Sequence, residues 1–211
     1  MGIVSNLLSH WRKPSGRIGR SALWAMNFSH ARLSDWGLEH ILIRKDWTVL
    51  DVGCGGGMTV RRLAALAAEG KVYGIDYSEE SVTVSQRTNK ALIDMGRVAI
   101  RHGEVSRLPF PEDLFDLVTA VDSHYYWPDL ASDLREILRV LRAGGALLIV
   151  GEEARGGIYG KLYERWARHV SIAHLSVDEL RGLLSQVGYA NAQAFKDVDR
   201  GWVCVIATKA T

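Results

Sequence analysis

The chain has 211 residues, 47% of them hydrophobic and 24% charged, which places it in the range of one globular domain and excludes a disordered chain or two full domains. Folding at this size buries roughly 70% of the unfolded surface, enough for a core without metal or disulfide staples. The net charge of +2 is too small to argue for a nucleic-acid partner, although residues 1–45 carry seven Lys/Arg against Asp35 and Glu39.

In chain order, residues 1–46 hold Trp11, Trp24 and Trp36, and Leu38, Ile41 and Leu42 suggest a helix packed on the rest of the chain as part of a lid segment. From residue 47 strand and helix patterns alternate. Thr48-Val49-Leu50-Asp51-Val52 is a short apolar run that stops at Gly53, as a buried parallel strand does. A helix over 58–68 follows, ended by Gly70. Lys71-Val72-Tyr73-Gly74-Ile75-Asp76 reads as a second strand. Ser78 then caps a helix with Glu79 and Glu80 in its first turn, expected to run to Met95. Residues 98–101 and 115–121 are further strands.

Leu130, Leu134, Ile137, Leu138 and Leu141 recur at helical spacing, with Gly144 and Gly145 as the stop. Residues 146–150 are a fully apolar strand. Residues 153–174, rich in aromatic and basic side chains, read as a substrate-side insertion. Ser176-x-x-Glu179 is a capping box, with Leu175 and Leu180 placed as a hydrophobic staple, and Gly188 closes that helix. Residues 192–195 and 202–208 are separated by a link too short for a helical crossover, so the two strands form an antiparallel pair. The predicted fold is α/β: a mostly parallel sheet of seven strands with a C-terminal antiparallel hairpin and helices on both faces.

Asp51-Val52-Gly53-Cys54-Gly55-Gly56-Gly57 joins the first strand to a helix, where glycines let backbone turn tightly and approach a ligand. A dinucleotide fingerprint counted from Gly53 needs a third glycine at position 58, which is Met58. A phosphate-cradling loop needs Gly-Lys-Ser/Thr, and Gly57-Met58-Thr59 lacks the lysine.

What remains, Asp-x-Gly-x-Gly-x-Gly at the end of a strand, resembles motif I of the class I S-adenosylmethionine-dependent methyltransferases, which have a Rossmann-like sheet. Asp76 matches the acid that holds the ribose hydroxyls in that family, chemistry suited to a diol. Tyr77 beside it would lie against the adenine. Glu104 is similar to the family's acid near the adenine amino group, where Asp is commoner, with Val105 next to it. Leu108-Pro109-Phe110, Phe115-Asp116-Leu117-Val118 and Leu138-Arg139-Val140-Leu141-Arg142-Ala143-Gly144-Gly145 continue the pattern, and the matches span about residues 47–208. The resemblance implies S-adenosylmethionine as methyl donor, S-adenosylhomocysteine as product, and Asp51, Gly53, Gly55 and Asp122 among the residues that bind them.

Asp122-Ser123-His124-Tyr125-Tyr126-Trp127 follows the fourth strand at the crevice. The Asn/Asp-Pro-Pro-Tyr-type motif of enzymes that methylate exocyclic amines is absent there. His124 is the first candidate for a general base because imidazole titrates near neutral pH. His30 and Glu152 are further options, and Tyr125, Tyr126 and Trp127 offer an aromatic wall for a planar or apolar acceptor.

The expected function is methyl transfer to a small molecule, as in the family's ubiquinone and menaquinone C-methyltransferases. The alternatives are an RNA or protein methyltransferase using the basic N-terminal segment, a non-catalytic S-adenosylmethionine-binding domain, or a nicotinamide-linked oxidoreductase. No histidine spacing marks a metal site. Cys54 and Cys204 are the only cysteines, and Cys54 in a glycine turn is a packing residue in a reducing compartment. With no apolar run near the roughly 20 residues that span a bilayer, a cytoplasmic protein is expected.

Overall fold

The alternation read from the sequence is realised in a computed structural model that describes residues 31–152 and 175–211. Helix α1 (Ala31–Leu38) precedes strand β1 (Thr48–Val52), α2 (Met58–Leu66), β2 (Lys71–Asp76), α3 (Glu79–Thr88), α4 (Lys90–Asp94) and β3 (Val98–His102). Strand β4 (Phe115–Val121), α5 (Leu130–Val140), β5 (Leu141–Glu152), α6 (Val177–Val187), β6 (Tyr189–Asp197) and β7 (Trp202–Lys209) follow. Short 3-10 turns at Val105–Arg107 and His124–Tyr126 cross the ends of β3 and β4.

The strands form one sheet in the order β3-β2-β1-β4-β5-β7-β6. Pairing is parallel from β3 through β5, and antiparallel where β7 joins β5 and β6. Successive strand residues face opposite sides, so the sheet buries two cores. Leu50, Val52, Val118, Leu147, Ile149 and Val205 pack with Leu134 and Ile137 of α5 and with Leu180 and Leu184 of α6. Val49, Leu117, Leu148, Val150 and Cys204 pack with Leu33 and Leu38 of α1 and with Val60 and Leu63 of α2. Each such fully buried branched side chain contributes roughly 1.5–3 kcal/mol of transfer free energy.

Both helix caps read from the sequence form. Ser78 Oγ accepts from Ser81 N, and Ser176 and Glu179 make the reciprocal capping box. The helix expected to reach Met95 instead breaks at Asn89, whose side-chain amide donates to Gly57 O at 3.0 Å and to Ser85 O at 2.9 Å. The helix expected to stop at Gly144 and Gly145 ends at Val140, because Leu141 turns to an extended conformation and pairs with Phe115. The two glycines then form the irregular start of β5: Gly144 has φ +73°, and a Cβ on Gly145 would lie 2.9 Å from the Phe115 and Arg142 carbonyl oxygens.

Near the N-terminus the helical stripe ends at Leu38, and Leu42 is 87% exposed. Helix α1 itself is embedded rather than peripheral, since Gly37 sits on Val150, Ser34 meets Thr59, and Arg62 pairs with Asp35. Strand β6 extends beyond the expected 192–195 at both ends. Trp11, Trp24, His30 and the insertion at 153–174 lie outside the described residues. No helix among the described residues is long and apolar enough to cross a membrane.

Candidate active site

Strand order reverses between β1 and β4, where the connections leave for opposite faces and open a crevice at the strand ends. The glycine turn after β1 forms one lip and the His124–Tyr126 turn after β4 the other. Gly53, Gly55 and Gly57 have φ of +74°, +50° and +83°, a region that costs side-chain-bearing residues strain. Each glycine has a different reason to lack a side chain. A Cβ on Gly53 would press on Ser123, whose hydroxyl donates to Val52 O at 2.8 Å and so fastens the two lips together. A Cβ on Gly57 would meet Ser85 and Asn89, so Gly57 serves helix packing. Nothing lies within 4 Å of a Cβ built on Gly55, which leaves its backbone open to a ligand.

Asp76 closes the turn from the side of β2. Its carboxylate accepts from Gly55 N and from Ser78 N, both at 2.9 Å. The Ser78 cap of α3 is present, and Asp76 braces the glycine loop. Burial raises the Asp76 pKa, against the two backbone hydrogen bonds that lower it. Asp51, one strand over, is buried beneath the turn with the Thr119 hydroxyl donating to it at 2.7 Å. Burial, with a smaller contribution from the Asp76 charge, raises its pKa to about 7. The same burial and the charges of Asp76 and Asp51 push the Cys54 thiol up, which keeps it protonated and suits a packing role.

Tyr77 lies beyond Asp76, with its carbonyl 3.0 Å from His102 Nε2. Glu104 is exposed and Val105 buried on the loop that follows β3. That loop is fixed from behind. Glu136 accepts from Leu108 N at 2.8 Å, Arg139 donates to Phe110 O at 3.0 Å, and buried Asp133 accepts from Ser106 at 2.7 Å. Asp116 is far from this chemistry: it accepts from Thr48 N at the opening of β1 and pairs with Arg142.

On the other lip Asp122 has φ +54°, a conformation that turns the chain sharply out of β4. His124 follows, its ring 4.3 Å from that of Tyr125. Burial lowers its pKa to about 4, with Asp122 opposing. Burial therefore keeps the imidazole in its neutral form at physiological pH. Against the unfolded value near 6.5, a lowered histidine pKa removes stability as pH falls from about 6.5 to about 4. Tyr125 is 5% exposed and its hydroxyl lies against β5 at Gly151. Trp127 does not extend the aromatic wall: it is part of the core under α5 and α6. Glu152, at the tip of β5, shares a cavity with His124.

Sequence reasoning missed Thr119, Ser123 and Gly151. A polar Thr119 in a buried run was a visible signal, but its partner depended on the Asp51–Thr119 register between β1 and β4.

A doubly wound sheet with a glycine turn and an acid at the neighbouring strand tip defines a nucleoside-binding α/β domain. Residues 50–149 match a family described as a methyltransferase domain, and the chain is similar to the class I S-adenosylmethionine-dependent methyltransferases. It is 32% identical over 144 residues to a demethylmenaquinone methyltransferase of Geobacillus kaustophilus, covering 67% of this chain and 61% of that one. It is 33% identical over 142 residues to the 27-O-demethylrifamycin SV methyltransferase of Amycolatopsis mediterranei, covering 60% and 52%. The chain thus spans about three fifths or less of the length of these two relatives. Among solved structures it resembles an S-adenosylmethionine-dependent methyltransferase from Aquifex aeolicus, with a TM-score of 0.75, 22% identity and coverage of 89% and 97%.

Proposed function

We propose that the protein transfers a methyl group from S-adenosylmethionine to a small-molecule acceptor by in-line displacement. The observation that carries this is Asp76, a carboxylate fixed by Gly55 N and Ser78 N beside an open glycine turn. The open Gly55 face and this braced acid fit a nucleoside with a free diol. Asp76 would hold the ribose hydroxyls, Tyr77, Glu104 and Val105 would border the adenine, and Asp51, Gly53, Gly55 and Asp122 would surround the rest of the donor. S-adenosylmethionine supplies an activated methyl group on a sulfonium.

The chain's own task is then to hold an acceptor atom in line and exclude water. A new bond forms from the acceptor to the methyl carbon as the carbon–sulfur bond breaks, its electron pair staying on sulfur. Where the acceptor atom carries a proton, neutral His124 takes it, with Tyr125 against its ring. His30 and Glu152 remain candidates for the same role, and the 1–46 and 153–174 segments for enclosing the acceptor. The names of the two curated relatives, both acting on small molecules, support this reading over RNA or protein substrates. Buried, unpaired Cys54 and Cys204 suit a reducing compartment such as the cytoplasm.

Thermal unfolding with S-adenosylhomocysteine, S-adenosylmethionine and NADH in parallel tests the donor. A ligand at a hundredfold excess over Kd adds about 2.7 kcal/mol. For this size that raises Tm by roughly 5–10 °C. Both adenosyl ligands are expected to do so and NADH is not; stabilisation by NADH alone would favour an oxidoreductase.

A further inference from the structure

We infer that Asp133 is a positioning residue of the donor site: its carboxylate clamps the loop that borders the adenine to the helix on which the His124 lip is mounted, so that filling the base subsite sets the lip. This rests on the methyl-transfer reading and deepens it, by assigning a residue that acts on the donor through others. The clamp is built on one ridge of α5. Asp133, Glu136 and Arg139 recur every three residues, which puts them on one side of the helix, while Leu134 and Ile137 beside them enter the core. Glu136 and Arg139 pair with each other and hold the backbone of Leu108 and Phe110, the far half of the loop.

Asp133 serves the near half. It is fully buried, and one of its oxygens accepts from Ser106 Oγ at 2.7 Å. Among the described residues this is the one side-chain hydrogen bond on the Val105–Arg107 turn, which carries Val105 and directly follows Glu104. The other oxygen accepts from Asp129 N at 3.1 Å, at the N-cap of α5 and just beyond the His124–Tyr126 turn. An ionised carboxylate offers only acceptors, so one side chain meets a donor from each segment at once. The helix itself does not need the reach to Ser106, since Asp129 already caps it by accepting from Ser132 N. Nor does the loop need Asp133 to stay on α5, because Glu136 and Arg139 hold it there. What Asp133 adds is the placement of Glu104 and Val105 relative to the lip, and a donor held across both is sensitive to small misplacements of either.

The test combines calorimetry of S-adenosylhomocysteine with ¹H–¹⁵N spectra of the full chain titrated with adenosine, which fills the base and ribose subsites and carries no methionine arm toward the lip. In the wild type the backbone amide resonances of His124 and Tyr125 are expected to shift as adenosine is added. Ser106→Ala, at an exposed position, cuts the clamp on the loop side alone. It should weaken S-adenosylhomocysteine by about three- to tenfold, the worth of one hydrogen bond, and remove most of the lip shift. Asp133→Asn should keep both within about twofold of the wild type, because its amide can donate to Ser106 Oγ while its oxygen accepts from Asp129 N. A merely structural Asp133 would change Tm and leave the lip shift where it was. If adenosine does not move the wild-type lip resonances, or Ser106→Ala retains either the affinity or the shift, or Asp133→Asn loses as much as Ser106→Ala, the clamp is overturned while binding of S-adenosylhomocysteine by the wild type keeps the donor reading. If the wild type binds neither S-adenosylhomocysteine nor adenosine, the donor reading falls and this inference with it.

Discussion

Asp76→Ala is expected to weaken S-adenosylhomocysteine binding by at least about 100-fold, because the carboxylate would accept from two ribose hydroxyls. Hydrogen bonds to a charged group contribute roughly 1.5–3 kcal/mol each. Two of them correspond to about 100-fold to 10,000-fold in Kd. The substitution also frees Gly55 N and Ser78 N, so the glycine loop loses its brace along with the ligand contact. Asp76→Asn keeps an accepting oxygen without the charge and should fall between the two. Isothermal titration calorimetry on variants whose circular dichroism matches the wild type measures all three; unchanged affinity in Asp76→Ala would remove Asp76 from the donor site.

At pH 8 Asp51→Asn should be more stable than the wild type, and the advantage should shrink as pH falls. Burial and the neighbouring Asp76 raise the Asp51 pKa to about 7 in the folded chain, against about 3.9 unfolded. Between these values the unfolded chain has released its proton and the folded chain has not. The wild type therefore loses stability as pH rises from about 4 to about 7. Asparagine never ionises and can still accept the Thr119 hydroxyl. Relative to wild type, the variant should gain on the order of 2–3 kcal/mol between pH 5 and pH 8. His124, whose shift acts in the opposite sense, is present in both proteins and cancels in the difference. Urea unfolding at the two pH values decides it, and a difference independent of pH would mean that Asp51 ionises normally. Retention of an acid where it costs stability is the pattern of a group kept for binding.

The legible parts of this molecule were those governed by local physics. Ser78 and the Ser176–Glu179 pair act through neighbours three residues away, and both form as read. The apolar runs ending at Val52, Asp76 and Val121 are strands, and the short link before Trp202 does force an antiparallel hairpin. The unread parts depend on distant partners. Asn89 breaks a helix because it reaches Gly57, 32 residues away, and Thr119 meets Asp51 across 68. Gly144 and Gly145 look like a helix stop, yet the close approach of Phe115 O makes them a strand entrance. Trp127 reads as part of an aromatic wall until tertiary packing turns it into the core.

The same division runs through the site. The glycine turn and Asp76 carry their chemistry in sequence, since the turn needs positive φ and the acid sits at a strand tip. Gly151 carries no such mark, because its reason for lacking a side chain is the position of His124 and Tyr125 on a different loop.

A donor lying across the Gly53–Gly57 turn would direct its methyl group to the lip formed by His124 and Tyr125. Nuclear Overhauser spectroscopy with S-adenosylmethionine ¹³C-labelled in its methyl group tests this in solution. Cross-peaks are expected from that methyl to ring protons of His124 or Tyr125, and from the ribose to Gly55 and Tyr77. Methyl cross-peaks to residues on β3 or α4, with none to His124 or Tyr125, would contradict it.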